Sequence, residues 1–437
     1  MESITDTLQV SAGTIKFSLE EFPFEILVEI AGHVAQDRIV LPETQKAFRY
    51  TTKSGESQQY WPWLFWTAKE RIKNGYIVIH TYNKQSEENN NNILNLSLTC
   101  SRIAQACERA LYQIAIVGGT NYRHLHRFLD TITKKTSTHL QRYVAHMAVT
   151  YAFGNKFGQH TSRMSQEILT SLGSGALKMQ ALRSLELTQK NGRLLYHLDS
   201  WYILLPTLPL LERLTLRGFR KVDINFPTLP RLKEAHFYEC SSSDSEHTTK
   251  ALLEKLPSLR TLVNFDTFGK VSHDAFEPVK ETLETLAWAD TAHEYPVALI
   301  PNISCLRKLR HLKTGFLRNR YENSRSGVVF WNCNILAGME SLETVEMVVS
   351  QGDQRFLRVG RGVELRMLMR KILETFGGMK VGGGVKGLRV VDMRCFNDWT
   401  DDVLPWKMMR DEFLDVAMKR FEKLGIVLLL PEIATRA

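Results

Sequence analysis

Through the second half of the chain the apolar residues recur in one phrase, leucine-x-x-apolar-x-apolar. It reads as Leu182-Arg-Ser-Leu-Glu-Leu187, Leu211-Glu-Arg-Leu-Thr-Leu216, Leu232-Lys-Glu-Ala-His-Phe237 and Leu259-Arg-Thr-Leu-Val-Asn264. It continues as Leu283-Glu-Thr-Leu-Ala-Trp288, Leu309-Arg-His-Leu-Lys-Thr314, Leu342-Glu-Thr-Val-Glu-Met347 and Leu388-Arg-Val-Val-Asp-Met393. First leucines are 29, 21, 27, 24, 26, 33 and 46 residues apart, so the early steps straddle a period of about 20–29 residues and the last two carry insertions. Alternation at the end of each phrase predicts a short strand. A unit this small cannot bury its apolar side alone, so the units are expected to stack with one strand each. Leu208-Pro, Leu229-Pro and Leu256-Pro precede three of the phrases, where proline suits a turn feeding the next strand.

The first half follows a helical period. In Leu19–Val34, Ile26, Leu27, Ile30 and Val34 share a face, with Ser18 placed to cap and Pro23 where a helix start tolerates it. In 93–112 a stripe of Leu96, Cys100, Ile103, Cys107 and Leu111 recurs every three or four residues, while Leu94 and Leu98 lie off it. A helix with two apolar faces must bury both, one in its own domain and one against another protein. Between these helices, residues 37–92 hold an aromatic cluster, Tyr60-Trp-Pro-Trp-Leu-Phe-Trp66, then Tyr76–His80 and a Glu87–Asn92 tract that reads as a flexible return. Residues 120–175 read as mainly helical, with a strand-like Tyr143–Val149. At the far end, Asp411–Leu424 is a helix stopped by Gly425, and Ile426–Leu430 is a closing strand, together capping the last repeat.

The two N-terminal segments resemble the halves of an F-box, the module that docks a substrate receptor onto the Skp-family adaptor of SCF ubiquitin ligases. The matching residues are Phe22-Pro23-x-Glu25-Ile26-Leu27-x-x-Ile30 and Leu94-x-Leu96-x-Leu98-Thr99-Cys100-x-Arg102-Ile103, followed by Ala106–Tyr112. The chain departs from the family at 37–92, where a loop of a few residues is expected, and at Phe22, which stands for the usual leucine. The later phrases resemble the irregular leucine-rich repeats that accompany the F-box in fungal-type proteins. The resemblance implies adaptor binding through Pro23, Ile26, Leu27, Ile30, Leu94 and Leu98, and through the adaptor a cullin-based ligase. The expected architecture is α/β: an F-box-like module over 18–118 interrupted at 37–92, a helical linker or cap over 119–178, and a leucine-rich-repeat solenoid over 179–437 with a parallel sheet on its concave face.

Composition narrows the classes further. The chain has 437 residues, 24% charged and 43% hydrophobic, enough for more than one core and inconsistent with wholesale disorder. Lys and Arg exceed Asp and Glu by 56 to 47, too dilute an excess to mark a nucleic-acid binder unless clustered. Six cysteines at irregular spacings, with no CxxC pair, read as reduced core thiols. Neither a secretory start nor a stretch of about 18 apolar residues is visible, so an intracellular, soluble protein of cytoplasm or nucleus is expected. The sequons at Asn95 and Asn302 are then expected to stay unmodified.

No enzyme motif emerges. The glycine-rich 377–387 lacks the Gly-Lys-Ser/Thr ending of a phosphate cradle. His124 and His126, His139 and His146, and Asp398, Asp401 and Asp402 lack the spacing and third ligand of a metal site. No catalytic residue, cofactor or metal is therefore assigned. Basic residues do cluster: Arg307, Lys308, Arg310, Lys313, Arg318, Arg320 and Arg325 face one acid, Glu322, and a second group runs from Arg355 to Lys371. By the two-residue period, Arg213, Thr215 and Arg217, then Glu234, His236 and Tyr238, then His311 and Lys313 should line one surface, with Arg318 and Arg320 on an adjoining loop. Arginine suits bidentate pairing with carboxylate or phosphate, so an acidic or phosphorylated protein substrate is the expected ligand. An ordinary solvated face stays open as the alternative. So does a leucine-rich-repeat scaffold that directs no ubiquitination. A nucleic-acid partner is disfavoured, because basic and aromatic residues do not interleave in a recognised module.

Overall fold

A computed structural model describes residues 9–10, 13–14, 22–36, 48–51, 57–60, 95–119, 123–134, 139–152, 179–190, 196–197, 202, 205–220, 222–238, 240, 247–265, 272, 274–289, 303–315, 336, 338–348, 376–378, 380–382, 384–392 and 415–429. The chain divides into two compact units, one of residues 1–150 with 178–182, the other of 151–177 with 183–437.

In the first unit, helices α1 (Phe24–Gln36) and α2 (Ser101–Gln113) pack on one another. Leu27, Ala31, Ile103, Ala106 and Cys107 form the dry seam, with Phe22, Val28, Leu96, Cys100 and Leu111 partly buried against it. This is the stripe expected from the helical period, and it closes although some 60 residues intervene, since loop-closure cost rises by only about 0.6 kcal/mol per doubling of length. The Pro23 carbonyl accepts the amides of Ile26 and Leu27; proline has no amide to lose at a helix start. The second helix is shorter than the pattern suggested: Leu96 and Leu98 lie in a turn ahead of it, tied by Leu98 N to Asn95 O and Thr99 N to Leu96 O. Strand β1 (Ile114–Gly119), helix α3 (Arg123–Thr133) and strand β2 (His146–Ala152) follow. β1 and β2 are neighbours, with Leu129, Ile132, Leu140 and Val144 buried nearby in sequence. The strand begins at His146, three residues after its expected start, because Leu140–Arg142 forms a 3-10 turn capped at Tyr143. Within 37–92, Phe48–Thr51 pairs antiparallel with Ser57–Tyr60. The Trp61–Trp66 cluster and the asparagine tract lie outside the described residues.

The second unit is the stack of repeats. Its strands are β3 (Ser184–Lys190), β4 (Arg213–Arg217), β5 (Glu234–Tyr238), β6 (Thr261–Phe265), β7 (Thr285–Ala289), β8 (His311–Gly315), β9 (Thr344–Val348), β10 (Val390–Asp392) and β11 (Val427–Leu429). They lie side by side in chain order, each parallel to the next. Strands β3 to β10 fall where the leucine phrase put them, and the mixed α/β class with a parallel sheet is as expected. A short helix α4 (Thr248–Glu254) stands between β5 and β6.

Three apolar residues lead into four of the strands at intervals of three: Leu205, Leu208 and Leu211; Leu253, Leu256 and Leu259; Ile303, Leu306 and Leu309; Leu336, Met339 and Leu342, all nearly solvent-free. Each is linked to the next by an amide-to-carbonyl bond three residues back. In the turns Leu208–Leu211, Leu229–Leu232 and Leu256–Leu259 the proline takes the second position, where its fixed φ matches the turn. The glycine-rich segment also forms ordered turns: Lys380 Nζ donates to the carbonyls of Lys386 and Leu388. At Gly387 an added Cβ would stand 2.5 Å from the Glu340 carbonyl oxygen, so glycine is required by close approach.

Helix α5 (Asp415–Lys423) and β11 close the stack as expected. Gly425 takes φ +68. Ile426 N bonds Phe421 O and Gly425 N bonds Glu422 O, the double bond pattern of a left-handed helix stop, with Phe421 and Ile426 buried together beneath it. Among the described residues no helix is long and apolar enough to cross a membrane, and Cys100, Cys107, Cys240 and Cys305 are not joined in disulfides.

Leu312 is fully buried in the middle of this stack, whereas Val381 is 70% exposed. Leu312→Ala should cost about 2–5 kcal/mol, and Val381→Ala less than about 0.5 kcal/mol. Urea unfolding of both variants checks the difference.

Candidate functional site

Each leucine phrase buries its first and fourth residues, so its third and fifth residues form rows across the opposite face of the sheet. One row reads Ser184, Arg213, Glu234, Thr261, Thr285, His311, Thr344, Val390. The other reads Glu186, Thr215, His236, Val263, Ala287, Lys313, Glu346, Asp392. The residues expected to share a surface therefore do share one, but most of it is closed to solvent. Arg213, Thr215, Glu234, His236 and Lys313 are buried, which corrects the expectation that they line an open binding surface. Arg217, Tyr238 and His311 are half-buried. The physical reason is cross-strand contact: neighbours about 4.8 Å apart along the sheet cover one another, and here they do so with complementary charge.

Arg213 Nε lies 3.6 Å from Glu234 Oε2, and His236 Nε2 lies 3.8 Å from the same oxygen. Lys313 Nζ is bonded to Glu346 Oε1, with both side chains buried. His311 Nδ1 is 2.8 Å from the Thr344 hydroxyl. Burial pushes the Glu186 carboxyl up to about 7, against the opposing pull of Arg213, the Thr188 hydroxyl and Arg217. Burial likewise pulls His311 down to about 4. Arg217 stacks over the Tyr238 ring at 5.9 Å, and that ring meets His236 edge to face at 6.3 Å.

The basic stretch beginning at Arg307 is less uniformly basic than its sequence suggests, because acids of neighbouring repeats stand beside it. Arg307 faces Glu281 at 3.9 Å, Arg310 faces Glu343 at 2.7 Å, and Lys313 is held by Glu346. Arg318, Arg320 and Arg325, and the second cluster from Arg355 to Lys371, lie outside the described residues.

The helix pair offers the second candidate surface. Pro23 is exposed, Ile26 is 38% exposed, Ile30 is half-buried and Leu98 is 82% exposed. Leu27, at 3%, belongs to the seam with α2 and not to an outward surface; one stripe of α1 has to face its partner helix, and Leu27 is on it. Leu94 lies outside the described residues. Phe24, 38% exposed beside Ile26, was missed by the sequence reading, although its place in the first turn with Pro23 signalled it. Glu186, Glu346 and Asp392 were missed as well. Each stands fifth in its phrase, as Lys313 does, so reading the phrases in columns would have found them.

Among the described residues no group of three or more His, Cys, Asp or Glu could hold a metal ion. No protein-family model matches the chain, and no curated protein matches it. Among solved structures, a Bacteroides fragilis protein from a structural genomics consortium aligns over 88% of this chain and 90% of its own. The identity is 11% and the TM-score 0.33, a likeness too slight to carry an argument.

The buried pair gives a direct test. Glu346→Leu leaves the Lys313 ammonium buried without its carboxylate and should cost about 3–5 kcal/mol. Lys313→Met with Glu346→Leu should recover most of that loss in the same denaturation assay.

The two shifted groups act in opposite directions on stability. Glu186 has a folded pKa above its ordinary 4.5, so the unfolded chain loses its proton first and stability falls as pH rises from about 4.5 to 7. His311 has a folded pKa of about 4 against an ordinary 6.5, so its share of stability grows as pH rises through about 4 to 6.5. Relative to wild type, Glu186→Gln should gain stability on going from pH 4.5 to 7.5, by up to about 3 kcal/mol at 1.36 kcal/mol per pKa unit. His311→Asn should instead be relatively more stable at pH 4.5. Urea midpoints at the two pH values measure both.

Proposed function

We propose that the chain is a substrate receptor of an SCF-type ubiquitin ligase, with the α1–α2 pair acting as an F-box and the strand stack as an irregular leucine-rich-repeat domain. One observation carries this reading. The two sequence segments that resemble F-box halves are separated by 37–92, yet they pack into a single helix pair that keeps Pro23, Phe24, Ile26 and Leu98 toward solvent. Large apolar side chains left outside a small helical core suit a partner surface. Under this reading a Skp-family adaptor covers them, and a cullin-based ligase is recruited through it.

The receptor would do no bond chemistry. Its contribution would be proximity: a substrate held by the repeats raises the effective concentration of its lysines near a charged ubiquitin carrier. A scaffold that binds the adaptor without directing ubiquitination is separated from this by whether a captured partner becomes ubiquitinated in the reconstituted ligase.

Adaptor binding is tested by co-purification. Ile26→Asp with Leu98→Asp should reduce adaptor capture at least about tenfold while the melting curve is unchanged, since neither side chain belongs to the helix seam. Leu27→Asp should instead unfold the pair, because it places a charge in that seam. Capture of adaptor at wild-type levels by the first double variant would end the F-box reading.

A further inference from the structure

The end of the repeat sheet at which its strands begin carries charge in a pattern of its own. Strands β6 to β10 are parallel and in register, so the turns leading into them share one rim. The residue just ahead of each strand alternates in sign along that rim: Arg260, Glu284, Arg310, Glu343, Arg389. Three residues earlier the same signs recur from β7 onward, as Glu281, Arg307, Glu340 and Lys386. Every residue of the turns 256–260, 280–284, 306–310, 339–343 and 385–389 is described. Their other ionisable side chains are Lys308 and Lys280, and Lys280 is paired with Glu277 at 2.8 Å. The acids are shared among neighbouring rows: Glu284 lies 3.7 Å from Arg260, Glu281 3.9 Å from Arg307, Glu343 2.7 Å from Arg310 and Glu340 3.9 Å from Lys386. Lys308 and Arg389, both exposed, make no ion pair among the described residues.

We infer that this rim binds an extended segment of a partner polypeptide that carries a carboxylate at every third residue. Basic rows at β6, β8 and β10 are separated by acidic rows at β7 and β9, so like rows recur every two strands, about 9.6 Å apart. A polyproline II segment brings a side chain back to the same face every third residue, about 9.3 Å along. The two periods agree. Carboxylates so spaced meet Arg260, Lys308 and Arg389, while the uncharged residues between them pass Glu284 and Glu343. A nucleic-acid strand fits less well, since it carries a charge on every residue and would set phosphates against the acidic rows. The five turns also hold no aromatic side chain on which a base could stack. This deepens the receptor reading and rests on it only in taking the partner for a substrate.

The full chain is titrated at low ionic strength, by fluorescence anisotropy, with three labelled peptides. They are four repeats of Glu-Pro-Pro, a peptide of the same composition with its glutamates together, and four repeats of Gln-Pro-Pro. The spaced peptide should bind at least about fivefold more tightly than the clustered one, and the glutamine peptide should not bind. Added salt should weaken the spaced peptide. Lys308→Ser with Arg389→Ser should weaken it about tenfold and leave the melting curve unchanged, since both side chains are exposed. Glu281→Gln with Glu340→Gln should let the clustered peptide bind as tightly as the spaced one, because the rows that repel it lose charge. Lys419→Ser with Lys423→Ser, exposed cations of α5, should change neither. The inference is overturned if the spaced peptide shows no binding at millimolar concentration, if the two glutamate peptides bind equally, if the Lys308/Arg389 variant behaves as wild type, or if the α5 variant loses binding to the same extent. A uridine oligonucleotide that binds more tightly than the spaced peptide overturns it as well, in favour of nucleic acid. Adaptor co-purification on the same preparations keeps the readings separate. Absence of adaptor capture with the peptide preference intact removes the ligase reading and leaves this surface standing; the reverse removes only the surface.

Discussion

One backbone contact, repeated along the chain, holds the second unit together. The residue after each first leucine uses its carbonyl to accept two consecutive amides from the next repeat: Arg183 O from Glu212 and Arg213, Glu212 O from Lys233 and Glu234, Lys233 O from Arg260 and Thr261, and onward through Glu343 O to Arg389 and Val390. At the cap Arg389 O receives Val427 N. This contact sets the register of every parallel strand pair, because it fixes where the next strand begins relative to the last. Insertions such as those before Leu342 and Leu388 can then lengthen a repeat without shifting it. The strands at 344–348 and 390–392 keep step with 311–315 despite steps of 33 and 46 residues.

The side chains at the carbonyl-bearing position follow the same logic. They run Arg183, Glu212, Lys233, Arg260, Glu284, Arg310, Glu343, Arg389, nearly alternating in sign, and the opposite charges meet: Lys233 with Glu212 at 3.0 Å, Arg260 with Glu284 at 3.7 Å, Arg310 with Glu343 at 2.7 Å. Exposed pairs contribute at most about 1 kcal/mol each, so they do not hold the stack. Their value lies in disfavouring a slipped register that would bring like charges together. The buried pairs on the polar face, Arg213 with Glu234 and Lys313 with Glu346, raise the cost of such a slip further.

The repeat positions were legible because a leucine that must be buried in every unit leaves a period no other constraint disguises. The helix seam was legible for the same reason: Leu96, Cys100, Ile103, Cys107 and Leu111 are spaced by the helix itself. What the sequence hid was the fate of the charges. Alternation says which way Lys313 or Arg213 points, but burial is decided by the neighbouring strand, and Glu346 is 33 residues from Lys313. A linear count of charges around Lys313 therefore reads as basic what is neutralised across the sheet. Leu27 misled in the complementary way. It shares a helical face with Ile26 and Ile30 in projection, yet only the packed partner helix shows where the seam ends.

These two effects together limit where recognition can occur. A sheet face filled with matched ion pairs is poor at binding a charged partner, since the ligand must displace a carboxylate already held in a water-poor site. The packing leaves a different kind of surface at the helix pair, where Pro23, Phe24, Ile26 and Leu98 stand outside a seam that is already full. That surface offers apolar area rather than charge. A partner covering it gains by removing apolar area from water and displaces no ion pair in doing so.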